Sequence, residues 1–121
     1  MSLEKYGWEL ESARVRHEQN PDSFEIPDEE ELHNLKEDDW VKLLFLFWED
    51  DKPENNVVSC ERMWVSIVEF DGDTIYGQLE NKPATSDKLE VGDIVDFAIS
   101  DVCSILIKKG DPRHALSDDG T

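Results

Sequence analysis

Cys60 stands two residues before Arg62, and a guanidinium beside a thiol favours the reactive thiolate. A nucleophile also needs a base. The histidines, His17, His33 and His114, fall at no diagnostic spacing from a cysteine or serine, and the sequence holds neither GxSxG nor HExxH. Cys60 therefore reads as an ordinary thiol, and Cys103, between Val102 and Ser104, as a core or edge thiol. Hard oxygen ligands occur at Asp71-Gly72-Asp73 and Glu49-Asp50-Asp51, but neither run matches the calcium loop with its twelfth-position glutamate. No glycine-rich phosphate cradle is present. With 30 acidic residues some carboxylate pair is certain by chance, so such a pair carries no information. No catalytic, cofactor-binding or metal-ligating residue is assigned, and the chain is expected not to be an enzyme.

Chemistry of binding is better represented. The formal net charge is −18, and half of that excess lies in residues 1–39. Such a surface repels nucleic acid and anionic lipid, because phosphate neutralisation needs clustered lysine and arginine. Its two readings are solubility and a negative patch that docks on a basic protein. Four tryptophans are many for 121 residues, and three of them fall in or beside expected strands, where burial is the default. One left exposed beside Arg62 or Tyr76 would mark a contact patch, since tryptophan, tyrosine and arginine dominate interface energetics. The candidate interaction patch is Glu29, Glu30 and Glu31 with Arg62, Trp64 and Tyr76.

These residues are positioned by elements of two kinds. Trp8 to Glu18 reads as a weakly amphipathic helix closed by Asn20-Pro21. Pro27 and the run Asp28 to Glu31 suit the first turn of a second helix, where carboxylates meet the positive end of the dipole. From Trp40 to Trp48 the chain is aromatic, β-favouring and apolar on both alternating faces, which predicts a central strand covered on each side. Further strands are expected over 63–70, 74–80 and 93–99, with an apolar stretch at 102–107. Asp71-Gly72-Asp73 makes a hairpin turn. Leu35 to Leu43 echoes Leu89 to Phe97: a leucine, a tight turn at Asp38 or Gly92, an aspartate, then a strand.

The expected fold is α+β: a bent antiparallel sheet of four to five strands with partial small-barrel character, and one or two N-terminal helices. One domain spans 1–121, with an acidic helical segment over 1–38, a β-rich core over 39–107 and a fraying polar tail over 108–121. Met1 to Lys5 turns charged at once, which argues against a signal peptide, and the apolar run at 43–48 is far short of a membrane span. The expectation is a cytoplasmic protein with reduced thiols, no cofactor, no membrane and no nucleic acid. Its oligomeric state is not encoded in any feature of the sequence.

Three stretches resemble a bacterial family known as domain of unknown function 2314. They are Phe24 to Pro27 ahead of Leu35 and the Trp40 to Phe45 strand; Glu61-Arg62-Met63-Trp64-Val65; and Gly77-Gln78-Leu79-Glu80-Asn81-Lys82-Pro83. Leu89 to Phe97 completes the pattern, and Asp38 stands where that pattern more often has glycine. The resemblance implies an accessory bacterial protein and brings no catalytic residues; some similar domains lie in toxin–immunity contexts. Two function classes follow. One is a non-catalytic interaction module with an unknown, basic protein partner, such as an immunity-type protein that masks a basic toxin. The other is a small-ligand or enzymatic domain with a pocket in the curved sheet.

Overall fold

The computed structural model describes residues 3–106. The polar tail expected over 108–121 lies outside the described residues. A short helix α1 (Leu3–Tyr6) leads into strand β1 (Trp8–Glu11), followed by helices α2 (Ala13–Gln19) and α3 (Glu29–His33). Strands β2 (Trp40–Trp48), β3 (Val58–Asp71), β4 (Thr74–Leu79), β5 (Ile94–Phe97) and β6 (Val102–Leu106) follow. All pairings are antiparallel, in the order β1-β2-β3-β4-β5, with β6 also on β2. The result is an α+β domain whose sheet curls into a half-barrel.

The centre is β2. Val41, Leu43, Phe45 and Phe47 line its concave face and are fully buried against Met63, Val65 and Ile67 of β3, as their alternation predicts. On the convex face Leu44 is equally buried, beneath Ala13 of α2, Phe24 and Cys103. The two-sided apolar pattern of this strand is explained by a barrel interior on one side and the N-terminal segment on the other.

Curling depends on β3, which serves both halves of the sheet. Its first part pairs with β2, from Val58 opposite Trp48 to Ser66 opposite Trp40, and its last part pairs with β4. Between Ile67 and Glu69 the register shifts by a bulge that bends the strand. Gly72 closes the β3–β4 hairpin with φ of +61°, the left-handed geometry expected of that turn. At Gly77 the constraint is space rather than φ. A Cβ there would sit 2.2 Å from Val65 Cγ1, so only glycine lets β4 approach the core this closely.

The segment 8–18 differs from expectation. In place of one helix, Trp8 and Leu10 alternate along β1 and face Phe47 and Phe45, and α2 starts only after Ser12. Ser12 Oγ accepts from the Val15 N–H, which caps α2. Burial of Trp8 in the barrel outweighs the weak helical pattern, and this adds the sixth strand. The β3 strand also begins at Val58, ahead of the expected start at 63, because its first residues pair with the end of β2.

Candidate functional site

Strands β1 and β5 do not pair with each other, so the half-barrel has an open side. A cleft of about 290 Å³ spans it, from Leu10 on β1 to Phe97 on β5. The residues that line it also include three acids, Asp73 from the hairpin, Asp96 from β5 and Asp101 from the turn before β6, with Thr74 beside them. Among the described residues no lysine or arginine forms an ion pair with any of the three. Nor does any group of three or more acids, histidines or cysteines among them have an arrangement that could hold a metal ion.

Asp101 is the most constrained of the three. Burial pushes its carboxyl above the usual range, the Ala98 N–H bonded to it at 2.9 Å pulls the other way, and the charge of Asp96 adds to the rise. A cation placed in this cleft would relieve that repulsion.

The convex face carries a different chemistry. The Arg16 and Arg62 guanidinium groups both lie over the Phe24 ring, 5.3 and 5.2 Å from its centroid. Lys42 Nζ lies 4.6 Å from the Trp64 ring centroid. Arg62 and Trp64 stand at alternate positions on one face of β3, although the strand expected from the sequence began only at 63, and both engage cation–π partners within the chain. Tyr76 sits on β4 opposite Glu69 and Asp96, beyond the bulge from the level of Trp64. Trp8 is buried, while Trp40, Trp48 and Trp64 are half-buried.

The acids of α3 are used locally. Glu29 pairs with Arg14 at 2.9 Å, and Glu31 accepts from the Asp28 N–H at 3.1 Å in a capping box, leaving Glu30 exposed. The residues of the patch drawn from the sequence thus come from three elements: the acids from α3, Arg62 and Trp64 from β3, and Tyr76 from β4. Sequence reading missed Asp73, Asp96 and Asp101 as a set, because they come from three elements that only the curled sheet brings together. Their one signal was the carboxylate abundance that was set aside as uninformative.

Both thiols are pushed up from the ordinary cysteine range. Desolvation pushes the Cys60 thiol up, and the hydrogen bond from Arg16 at 3.7 Å and the charge of Arg62 offset this only in part. Cys103 is pushed up too, by burial first. No helix among the described residues is long and apolar enough to cross a membrane.

Comparison with curated proteins and with solved structures finds no match. The model of a family described as uncharacterized protein conserved in bacteria (DUF2314) matches residues 26–114, from Ile26 ahead of α3 through the whole run of β2 to β6. With well over half its length matched, the chain belongs to the DUF2314 family.

Proposed function

We propose that this chain is a non-catalytic, cytoplasmic interaction module that engages a basic protein partner, in the manner of an immunity protein covering a cationic toxin surface. The observation that carries the reading is the open side of the half-barrel: three aspartates over an apolar floor, with no cation paired to them among the described residues. The net charge of −18 supports it by drawing a basic partner in from a distance. The cleft takes one lysine or arginine side chain, with the surrounding surface acids steering the approach.

The test compares two variants of equal charge change. One replaces Asp73, Asp96 and Asp101 with asparagine; the other replaces Glu29, Glu30 and Glu31 with glutamine. Binding of an oligo-arginine peptide, followed by amide chemical shifts, is expected to weaken roughly tenfold or more in the first and little in the second. Equal weakening in both would reduce the effect to net charge and sink the reading. The same cleft also favours a second reading, a pocket for a small cationic ligand. Free arginine amide binding as tightly as the peptide would select that one.

A further inference from the structure

The convex edge of β3 carries an inference independent of the acidic cleft. Main-chain groups of β3 alternate in direction. Val57 C=O accepts from Glu49, and Ile67 exchanges hydrogen bonds with Asp38 and Asp39, so the odd-numbered residues of this strand turn toward β2. The even-numbered ones turn the other way, where Trp64 C=O accepts from the Glu80 N–H and Trp64 N–H donates to Asn81 Oδ1. β4 ends at Leu79, and the chain leaves the sheet at Asn81-Lys82-Pro83. Beyond that point Val58, Cys60 and Arg62 direct their N–H and C=O groups to a side that no strand among the described residues occupies. All three residues are exposed, and no hydrogen bond from a described residue reaches those groups.

An unpaired edge in a folded protein is usually blunted by a bulge, a proline or a covering loop. Here Glu61, on the concave side, accepts from the N–H groups of Ala84 and Thr85, which keeps that loop below the strand. On the convex side the edge presents Val58, 45% exposed, at one end and Arg62 at the other. The Arg62 guanidinium rests on Phe24 and forms no ion pair with a described carboxylate. On this side of β1, Glu11 is held by Arg16 at 2.7 Å and Glu9 accepts from the Leu3 N–H.

We propose that the Val58–Arg62 edge of β3 takes an extended peptide segment as an added antiparallel strand, with an acidic residue opposite Arg62 and an aliphatic residue four positions later opposite Val58. Main-chain hydrogen bonds to Val58, Cys60 and Arg62 hold the segment. Charge complementarity with Arg62 fixes its register, because a slip by one residue turns the acid to the other face.

The probe is a blocked peptide of sequence Gly-Glu-Thr-Ser-Thr-Val-Gly, with analogues carrying glutamine or lysine in place of glutamate. Amide hydrogen exchange of the full chain is expected to slow at Val58, Cys60 and Arg62 when the glutamate peptide is added. Affinity is expected to fall roughly tenfold with the glutamine analogue or with Arg62→Gln. Cys60→Pro removes an edge N–H at a position where an edge strand tolerates proline, and should abolish protection without lowering the content of sheet seen by circular dichroism. Equal binding of the lysine analogue overturns the proposal. So does protection at these amides that appears with rising protein concentration alone, which marks a second copy as the occupant. Unchanged exchange at millimolar peptide, measured on the wild-type chain, overturns it as well.

Discussion

Lys36 and Asp39 are joined twice: the Lys36 N–H donates to Asp39 Oδ2 at 2.9 Å, and the Asp39 N–H donates to the Lys36 carbonyl at 3.2 Å. Glu90 and Asp93 repeat both bonds, at 2.9 and 3.0 Å, and Ala98 and Asp101 repeat them again, both at 2.9 Å. Each of these turns delivers the chain into or toward a strand. In the first two, the residue before the aspartate, Asp38 or Gly92, has positive φ and donates its N–H to a neighbouring strand, at Ile67 or Leu79.

Removing such an aspartate leaves a turn N–H without its acceptor. Asp39→Ala is expected to destabilise by about 1–3 kcal/mol, since this side chain is buried. Asp93→Ala, at a more exposed turn, should cost less. Urea unfolding of both variants checks the order; an equal or reversed cost would mean that the turns are not held by these bonds.

Two glycines separate conformational from packing cost. Gly72→Ala meets open space at φ of +61°, so its cost is conformational alone, about 1 kcal/mol. Gly77→Ala drives a methyl into Val65 and should cost about 1–3 kcal/mol or more. Thermal midpoints of the two variants are expected to differ in that order.

Asp101 gives the domain a definite acid–base signature. Its folded-state carboxyl lies above the unfolded value, so the fold takes up this proton in preference to the unfolded chain. That contribution to stability is complete below the unfolded value and is lost as pH rises through the folded one. Asp101→Asn keeps an acceptor for the Ala98 N–H and removes the charge. The variant should melt at or above the wild-type midpoint at neutral pH, with the difference shrinking as the pH falls. Asp51 runs the other way. Burial opposes its charge, but hydrogen bonds from Ser86 and Asp87, with the charge of Lys88, hold its carboxyl below the usual range. Its contribution is present at neutral pH and lost in acid. A melting profile of the asparagine variant at position 101 parallel to wild type across this range would contradict the assignment.

Salt distinguishes steering from solubility. If the acidic cleft and its surroundings attract a basic partner, the association rate with an oligo-arginine peptide should fall steeply from low to physiological ionic strength. The asparagine variant at 73, 96 and 101 should show a shallower slope. A salt-independent rate would leave the acidity as a matter of solubility.

Much of the scaffold was legible because it is written in local patterns. The β2 strand announces itself by apolar residues on both faces, the hairpin by Asp71-Gly72-Asp73, and the paired turns by the echo of Leu35 to Leu43 in Leu89 to Phe97. What stayed hidden depends on distant partners. Trp8 and Leu10 form a strand because Phe47 and Phe45 lie opposite, a choice that local propensity does not contain. The acidic cleft exists only once β5 and β1 face each other across the opening. Arg62 and Trp64 were legible as contact residues by their types; that Arg62 would join the strand, with Phe24 against it and Lys42 against Trp64, was not.

A single edge of β2 receives both β1, at Leu44 to Phe47, and β6, at Trp40 to Leu43. During synthesis the hairpin of β2, β3 and β4 emerges with that edge half filled, and the Trp40 half stays bare until Leu106 has left the ribosome. Pairings this distant in sequence are slow to form, and an apolar strand with an open edge is prone to wrong partners while it waits. The folding step most open to wrong pairing is therefore the wait for β6, at the Trp40 end of β2 rather than at the acidic opening.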